Sequence, residues 1–251
     1  MTMLFYTLLR FRVHKIAITA DIEAAFLQIG IKEADRDVLG VLWFDDVEKE
    51  KPSIVQYRYC RLVFGLPCSP AILGETIHKH IDTFALESPQ VANILKRLYA
   101  DDLSYGCETT VEALESYRTA KEMMLQGGFN LRKWTSNNKK VFKEINKSEK
   151  AIDQQKSVEV TKVNEDDESY TKYAVGTPSS DGNSKVLGVN WNHETDRFDL
   201  DLSHLTEYSK SLPLTKRSVL KLAAKMFDPL GLISLFTRNL KGFFQELCIK
   251  N

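Results

Sequence analysis

The chain has 251 residues, of which 43% are hydrophobic, and carries 34 Lys and Arg residues against 34 Asp and Glu residues. This composition excludes wholesale disorder and allows a sizeable core, and the zero net charge excludes a basic field over the whole surface as the means of binding nucleic acid. The four cysteines have no CxxC spacing, so neither a zinc ribbon nor a dithiol redox motif is predicted.

Strands and turns dominate the first part of the chain. The period of two from Arg12 to Ala20 predicts a strand. The runs Val38 to Phe44 and Ile54 to Leu62 predict a hairpin around a charged loop. A helix is then expected, with Ser69 as its cap and Pro70 at its first position.

A second hairpin and a longer helix follow. The apolar run Leu98 to Tyr105 is interrupted by Asp101 and Asp102, which predicts a hairpin with both acids at its tip. A capping box that begins at Thr109 predicts a helix ending at Gly127-Gly128. This order of elements indicates an α+β fold, with an antiparallel sheet and helices on one face.

The composition changes at about Glu144. The next forty residues are rich in charged and small polar side chains and are expected to form a flexible loop or linker. After them, Val186 to Trp191 predicts a strand, and a helix capped by Thr215 and another after Asp228-Pro229 predict a small helical unit. The expected segments are 1–143, 144–185 and 186–251.

Three acids are the candidate metal ligands. Asp101 and Asp102 stand between apolar residues, where two carboxylates would repel and desolvate each other unless a cation neutralises them. The alternative is a solvated acidic loop, as at Asp45-Asp46 and Asp166-Asp167. Asp21 follows a predicted strand, and pairing of that strand with the hairpin would gather three carboxylates. Such a cluster suits two Mg²⁺ or Mn²⁺ ions and the chemistry of nucleotidyl transfer.

Three ordered motifs carry a family resemblance. Ala20-Asp-Ile-Glu-Ala-Ala-Phe-Leu-Gln-Ile29, Phe64-Gly-Leu-Pro-Cys-Ser-Pro-Ala-Ile72 and Tyr99-Ala-Asp-Asp102 resemble the polymerase motifs of reverse transcriptases. The resemblance covers nearly the whole chain. Further segments narrow it to the polyproteins of BEL/Pao-type LTR retrotransposons: Lys133 to Asn137, Val186 to Val189 and Leu214 to Ser234.

The resemblance implies a metal site with an adjoining triphosphate site. Asp21, Asp101 and Asp102 would be the catalytic metal ligands, and the backbone carbonyl of Ile22 would complete the shell of one of two Mg²⁺ or Mn²⁺ ions. The amides that follow would lie near the incoming triphosphate: Ile22, Glu23, Ala24 and Ala25.

The resemblance also implies roles for two aromatic residues and a glycine. Phe26 falls where the family keeps a ring under the sugar, so that a ribose 2′-hydroxyl would clash; the alternative is an ordinary core aromatic. Phe64 would lie next to the templating base pair, and Gly65 would shape its loop.

Other family positions are less specific. Lys133, Lys139 and Lys140 all lie near the place of a lysine that approaches the departing pyrophosphate, and their spacing does not choose among them. Leu187-Gly188-Val189 resembles the hairpin that grips the primer end, with an ordinary buried strand as the alternative.

The implied function is RNA-directed DNA polymerisation by a palm with partial fingers and a small C-terminal helical, thumb-like unit. Its partners would be an RNA or DNA primer-template and dNTPs. Only 20 residues precede Asp21, whereas family fingers are longer, so weakened nucleotide binding is expected. The alternative is a non-catalytic, decayed fragment that keeps the fold and some affinity for nucleic acid.

The remaining expectations concern the setting of the chain. We find no protease, RNase H or integrase signature and expect a piece of a longer polyprotein, of undetermined oligomeric state. No signal peptide is recognisable, and no apolar run approaches the ~20 residues of a membrane span. A cytoplasmic location without membrane contact is therefore expected.

Overall fold

The computed structural model describes residues 4–159, 183–200, 202–213 and 215–249. The chain divides into two compact units. The first comprises Ala20–Leu103 and Val111–Trp134, and the second comprises the described parts of Thr2–Thr19, Ser104–Thr110 and Thr135–Asn251. Within these ranges, no helix has both the length and the apolar character that a membrane crossing requires.

Helices and strands alternate irregularly along the chain, and two short 3₁₀ helices, Ala25–Gln28 and Glu33–Leu39, follow the first strand. The other elements in chain order are α1 (Leu4–Phe11), β1 (Ile16–Ile22), β2 (Gly40–Phe44), β3 (Ile54–Arg58), α2 (Ser69–Asp82), α3 (Pro89–Leu95), β4 (Asp102–Cys107), α4 (Thr110–Gln126), β5 (Leu131–Ser136), α5 (Lys139–Glu159), β6 (Asn183–Val186), β7 (Val189–Asn192), β8 (Arg197–Asp199), α6 (Ser203–Ser211), α7 (Lys216–Lys225) and α8 (Ser234–Ile249).

The sheet that positions the candidate site has the strand order β4-β1-β5. Strand β1 lies in the centre, and five of its seven side chains are buried, as expected for a strand covered on both faces. The predicted hairpin is confirmed, because β2 and β3 pair antiparallel with Gly40 opposite Arg58 and Phe44 opposite Ile54. Strands β6, β7 and β8 form a further antiparallel sheet.

Two predicted helix details are wrong. Ser69 is the first residue of α2 rather than its cap, and its hydroxyl donates to the carbonyl oxygen of Val63 at 2.7 Å. Helical spacing in the sequence predicts that Val111 and Leu125 lie on the same inner face of α4 as Leu114, Tyr117 and Met124, but both are exposed. The buried face instead includes small side chains that permit close packing: Ala113, Ser116 and Ala120.

The charged segment that begins at Glu144 does not start as a loop. Residues 144–159 belong to α5, and 183–185 belong to β6, while 160–182 lie outside the described residues. Lys and Glu favour helices, and Val141 and Ile145, four residues apart, are buried. A narrow apolar stripe therefore suffices to hold a largely polar helix over 144–159, where composition alone predicts a loop.

Candidate active site

The two adjacent acids lie at the tip of a tight hairpin, as predicted. The N–H of Tyr99 donates to the carbonyl oxygen of Asp102 at 3.0 Å, and the N–H of Asp102 donates to that of Tyr99 at 3.0 Å. Only Ala100 and Asp101 lie between them, and Ala100 has φ +56°. A first turn residue with positive φ usually calls for glycine, so this turn holds an unfavourable backbone conformation.

Asp21 and the hairpin acids come together because β1 lies beside β4. The N–H of Ile22 donates to the carbonyl oxygen of Asp101 at 2.9 Å. The charges of Asp101 and Asp21 both act on the carboxyl group of Asp102. The structure thus brings the three sequence-predicted acids into one place within the first unit.

Asp102 is destabilised as an anion. Its pKa is raised from 3.8 to about 6, first because burial desolvates the carboxylate, and then because Asp101 and Asp21 repel it. Lys133 opposes these effects in part. The cluster therefore has more negative charge than its surroundings neutralise, which favours a bound cation.

Lys133 supplies a cation at this site. Its Nζ lies 2.6 Å from Oδ2 of Asp21, whereas Oδ1 of Asp21 is buried without a hydrogen-bond partner. The next residue, Trp134, anchors β5, because its indole is buried and meets the ring of Tyr117 edge-on at 4.8 Å. Lys139 and Lys140 belong to the second unit.

The donor chemistry fits a hard divalent ion. Carboxylate oxygens are the ligands that Mg²⁺ and Mn²⁺ prefer, and the unpartnered Oδ1 of Asp21 is an acceptor that such an ion would satisfy. Within the described ranges, however, no three His, Cys, Asp or Glu side chains are already close enough to hold an ion. The acids would have to draw together, with Lys133 releasing Oδ2 of Asp21.

Backbone strain concentrates at this place. Among the described residues of the first unit, the non-glycine residues with positive φ are Ala24, Ala100 and Lys133. Ala24 lies three residues after Asp21, Ala100 lies in the acidic turn, and Lys133 pairs with Asp21. Such conformations persist only where surrounding contacts hold them, and they cluster at functional sites.

Hydrogen bonds within the protein occupy two of the four backbone N–H groups predicted to lie near the triphosphate. The N–H of Ile22 donates to Asp101, and the N–H of Glu23 donates to the carbonyl oxygen of Asn130 at 2.9 Å. Both amides are thus engaged within the protein. Of the backbone donors expected to meet a triphosphate, this leaves Ala24 and Ala25 as the candidates.

The two predicted nucleotide-site aromatics touch each other. The rings of Phe26 and Phe64 meet edge-on, with centroids 4.6 Å apart. Phe26 is 6% exposed and Phe64 is 69% exposed, so the outer ring lies over the inner one. The adjacent Gly65 has φ +93°, a conformation that glycine adopts without strain.

The sequence patterns did not predict a role for Asn130 or Arg132. Glu23 was predicted for its backbone alone, but its carboxylate pairs with Arg132 and accepts from Nδ2 of Asn130 at 2.7 Å. The available signal was that three polar residues, Asn130, Arg132 and Lys133, fall within four positions at the start of β5.

The predicted primer-grip residues form a turn in the second unit. Leu187 and Gly188, with φ +51° and +84°, join β6 to β7, and Val186 pairs with Val189. The side chains of Leu187 and Val189 are buried. The segment is therefore a hairpin rather than one continuous strand.

The acid pair Asp45-Asp46 differs from the three acids of the site. Asp45 and Asp46 are exposed, and contacts with the Lys49 side chain and the Ser53 N–H lower the pKa of Asp45. This agrees with a solvated loop. Asp166-Asp167 lies outside the described residues.

Two protein families match the chain. Residues 7–191 match the family described as "Reverse transcriptase (RNA-dependent DNA polymerase)", and residues 215–251 match one described as "Pao retrotransposon-like RNaseH-like domain". The second match corrects the expectation that no RNase H signature follows. No curated protein matches the chain.

Proposed function

Because the chain belongs to the reverse transcriptase family and carries a Pao retrotransposon-like segment, we propose that it adds dNTPs to a primer 3′-hydroxyl on an RNA template with Asp21, Asp101 and Asp102 as catalytic carboxylates. The observation that carries this proposal is the meeting of β1 with the acidic hairpin. It gathers charges that burial and mutual repulsion make unstable without a cation.

The three carboxylates, together with the carbonyl oxygen of Ile22, would hold two divalent ions. When bound, Mg²⁺ or Mn²⁺ activates the attacking hydroxyl and stabilises the leaving oxygen. The protein's own contribution is to place the acids. The Tyr99–Asp102 turn fixes two of them on one short loop, and the bond from Ile22 to Asp101 ties that loop to the strand bearing Asp21.

Among the three lysines that the sequence left open, we favour Lys133 as the one that assists the departing pyrophosphate. Its ammonium is already at the site, 2.6 Å from Asp21. Once released from Asp21, this group would donate a proton or a hydrogen bond to the developing negative charge.

The incoming nucleotide would lie against the segment that follows β1. The amides of Ala24 and Ala25 would approach the triphosphate, and Phe26 would exclude a ribose 2′-hydroxyl. Phe64 supports this role because it packs on Phe26, and Gly65 permits the turn beside it.

The remaining assignments concern the nucleic acid. The β6–β7 turn at Leu187-Gly188-Val189 would grip the primer end, and the first unit would supply the palm with part of the fingers. The helices α7 and α8, expected from the sequence to form a thumb-like unit, fall instead within the segment that matches the Pao retrotransposon-like RNaseH-like family. The chain would act as part of a longer polyprotein, in agreement with a Pao retrotransposon-like segment at 215–251.

The proposal is tested by primer extension on a poly(rA) template. The wild-type chain should extend an oligo(dT) primer with Mg²⁺ or Mn²⁺, and Asp101→Asn should lower kcat by at least about a hundredfold, because ligand loss removes the main electrostatic stabilisation. Asp45→Asn is the matched control and should retain activity. A wild-type chain that folds, binds primer-template and adds no nucleotide with either metal would favour a non-catalytic fragment.

A further inference from the structure

The carboxylate of Glu23 is fully engaged inside the first unit. Its Oε1 pairs with Nη1 of Arg132, and its Oε2 accepts from Nδ2 of Asn130 at 2.7 Å. The backbone N–H of Glu23 also donates to the carbonyl oxygen of Asn130 at 2.9 Å. Three contacts therefore join the end of β1 to the start of β5.

This ion pair differs from an ordinary surface pair in its environment. The side chain of Arg132 is 19% exposed, and that of Glu23 is 34% exposed. By contrast, Arg58 and Asp37, at 2.5 Å, are 46% and 75% exposed. Partial burial weakens solvent screening, so the pair of Glu23 and Arg132 can hold a backbone conformation that a surface pair could not.

Two consecutive basic residues contact two acids that lie two positions apart in the chain. Arg132 contacts Glu23, and the next residue, Lys133, contacts Asp21. In a regular strand, consecutive side chains point to opposite faces, so Arg132 and Lys133 could not both reach acids at the end of one strand. Lys133 has φ +54°, and this departure from extended backbone accompanies the two parallel contacts.

A lysine in the left-handed region is unfavourable and needs contacts that maintain it. Trp134, the residue after Lys133, is held by its buried indole. Arg132, the residue before Lys133, is held by the ion pair of its guanidinium with Glu23. The strained residue thus stands between two fixed neighbours, with its ammonium at Asp21.

We propose that Arg132 is a positioning residue whose ion pair with Glu23, supported by Asn130, maintains the turned backbone at Lys133 and thereby places the Lys133 ammonium at Asp21. This deepens the proposed function, on which it rests for the catalytic role of Lys133. It also assigns the Glu23 side chain to its contacts with Arg132 and Asn130 rather than to the incoming nucleotide.

The first test is a double-mutant cycle on stability, which needs no catalytic activity. We would measure urea unfolding of wild type, Arg132→Met, Lys133→Met and the double variant. Lys133→Met is expected to raise the equilibrium constant for unfolding by some factor. If Arg132 places Lys133, this factor should be at least about threefold smaller in the Arg132→Met background than in wild type.

The sign of this coupling separates the proposal from simple charge effects. Two neighbouring cations repel, so removing Arg132 without any positioning role would make Lys133 more favourable and increase the loss on Lys133→Met. Additive effects, or coupling of that opposite sign, would overturn the proposal. Arg58→Met combined with Lys133→Met is the control and should be additive. If Arg132→Met does not fold, Arg132→Lys replaces it, since lysine keeps the charge without the planar guanidinium.

The second test is kinetic. Arg132→Met should lower kcat of primer extension about tenfold or more, with a smaller change in KM for primer-template, because it misplaces a group acting in the chemical step. The double variant with Lys133→Met should be no slower than Lys133→Met alone, and additive losses would contradict the proposal. If wild type is inactive, the proposed function fails and the stability cycle still decides the positioning role.

Discussion

The ammonium nitrogen of Lys133 lies 2.6 Å from Oδ2 of Asp21, and the other oxygen of that carboxylate is buried without a hydrogen-bond partner. In Asp21, therefore, Oδ2 is paired with a lysine, while Oδ1 is a buried acceptor that lacks a hydrogen bond. A divalent ion that binds through Oδ2 competes with this ammonium, so the pair couples metal affinity to the position of a lysine.

Removing this competitor should strengthen metal binding. Mg²⁺ or Mn²⁺ should raise the melting temperature of wild type, because ligands that bind only the folded state stabilise it, by about 2.7 kcal/mol at a hundred times Kd. Lys133→Met should enlarge the metal-induced increase, as followed by calorimetry with and without the ion.

The control for this measurement is Lys49→Met, which removes an exposed ion pair with Asp45 and should leave the metal-induced increase as in wild type. Asp101→Asn should reduce the increase. An equal increase in a variant with Asn at positions 21, 101 and 102 would show that the ion binds elsewhere.

Without divalent ions, Asp102 should make stability depend on pH. Its pKa is about 6 in the folded chain against 3.8 ordinarily, so the folded state binds more protons between these values and stability falls as pH rises from 4 to 6. The penalty above pH 6 is at most about 3 kcal/mol, reduced by partial exposure. Asp102→Asn should therefore stabilise the chain at pH 8 and change little at pH 4, as measured by urea unfolding.

Asp45→Asn supplies a control of opposite sign. Contacts with Lys49 and Ser53 lower the pKa of Asp45, so its contribution is present at neutral pH and lost as the pH falls through its folded-state pKa. Asp45→Asn should then destabilise the chain at pH 8. A stability profile of Asp102→Asn that parallels wild type from pH 4 to 8 would refute the raised pKa.

Phe26→Ala should admit ribonucleotides. Loss of the ring would remove the surface that meets a 2′-hydroxyl, so the ratio of kcat/KM for rNTP over dNTP should rise at least about tenfold in primer extension. Because Phe26 is buried, truncation also costs about 3–5 kcal/mol of stability, and Phe26→Leu is a milder companion. Phe44→Ala, at an exposed ring in β2, should leave the ratio unchanged; an unchanged ratio in Phe26→Ala as well would make Phe26 a core residue only.

Gly188→Ala should destabilise the β6–β7 turn. The residue has φ +84°, and an added Cβ would lie 2.9 Å from Cε1 of Phe227. Positive φ alone costs an alanine about 1 kcal/mol, and the contact should add to this loss in urea unfolding. Gly231→Ala isolates the backbone effect, because Gly231 has φ +73° and open space around it. Equal losses in both variants would show that the Phe227 ring moves aside freely.

Local patterns were enough for the acidic hairpin and for one helix start. Two acids that interrupt an apolar run are compatible with a turn and little else, and the structure has that turn at Tyr99–Asp102. Thr215 caps α7 as predicted, since its hydroxyl oxygen accepts from the N–H of Ser218. Both features depend on contacts between residues at most four positions apart, so a short stretch of sequence is enough to predict them.

The order of the residues is enough to show which acids are available and how they follow one another: Asp21 after an apolar strand, and Asp101 with Asp102 in a turn. The contacts of Lys133 with Asp21, and of Arg132 and Asn130 with Glu23, are visible only in the folded chain. These contacts join positions more than one hundred residues apart and depend on β1 lying between β4 and β5. They also need a positive φ at a lysine, which no local preference encodes, because packing and ion pairs from distant segments impose it.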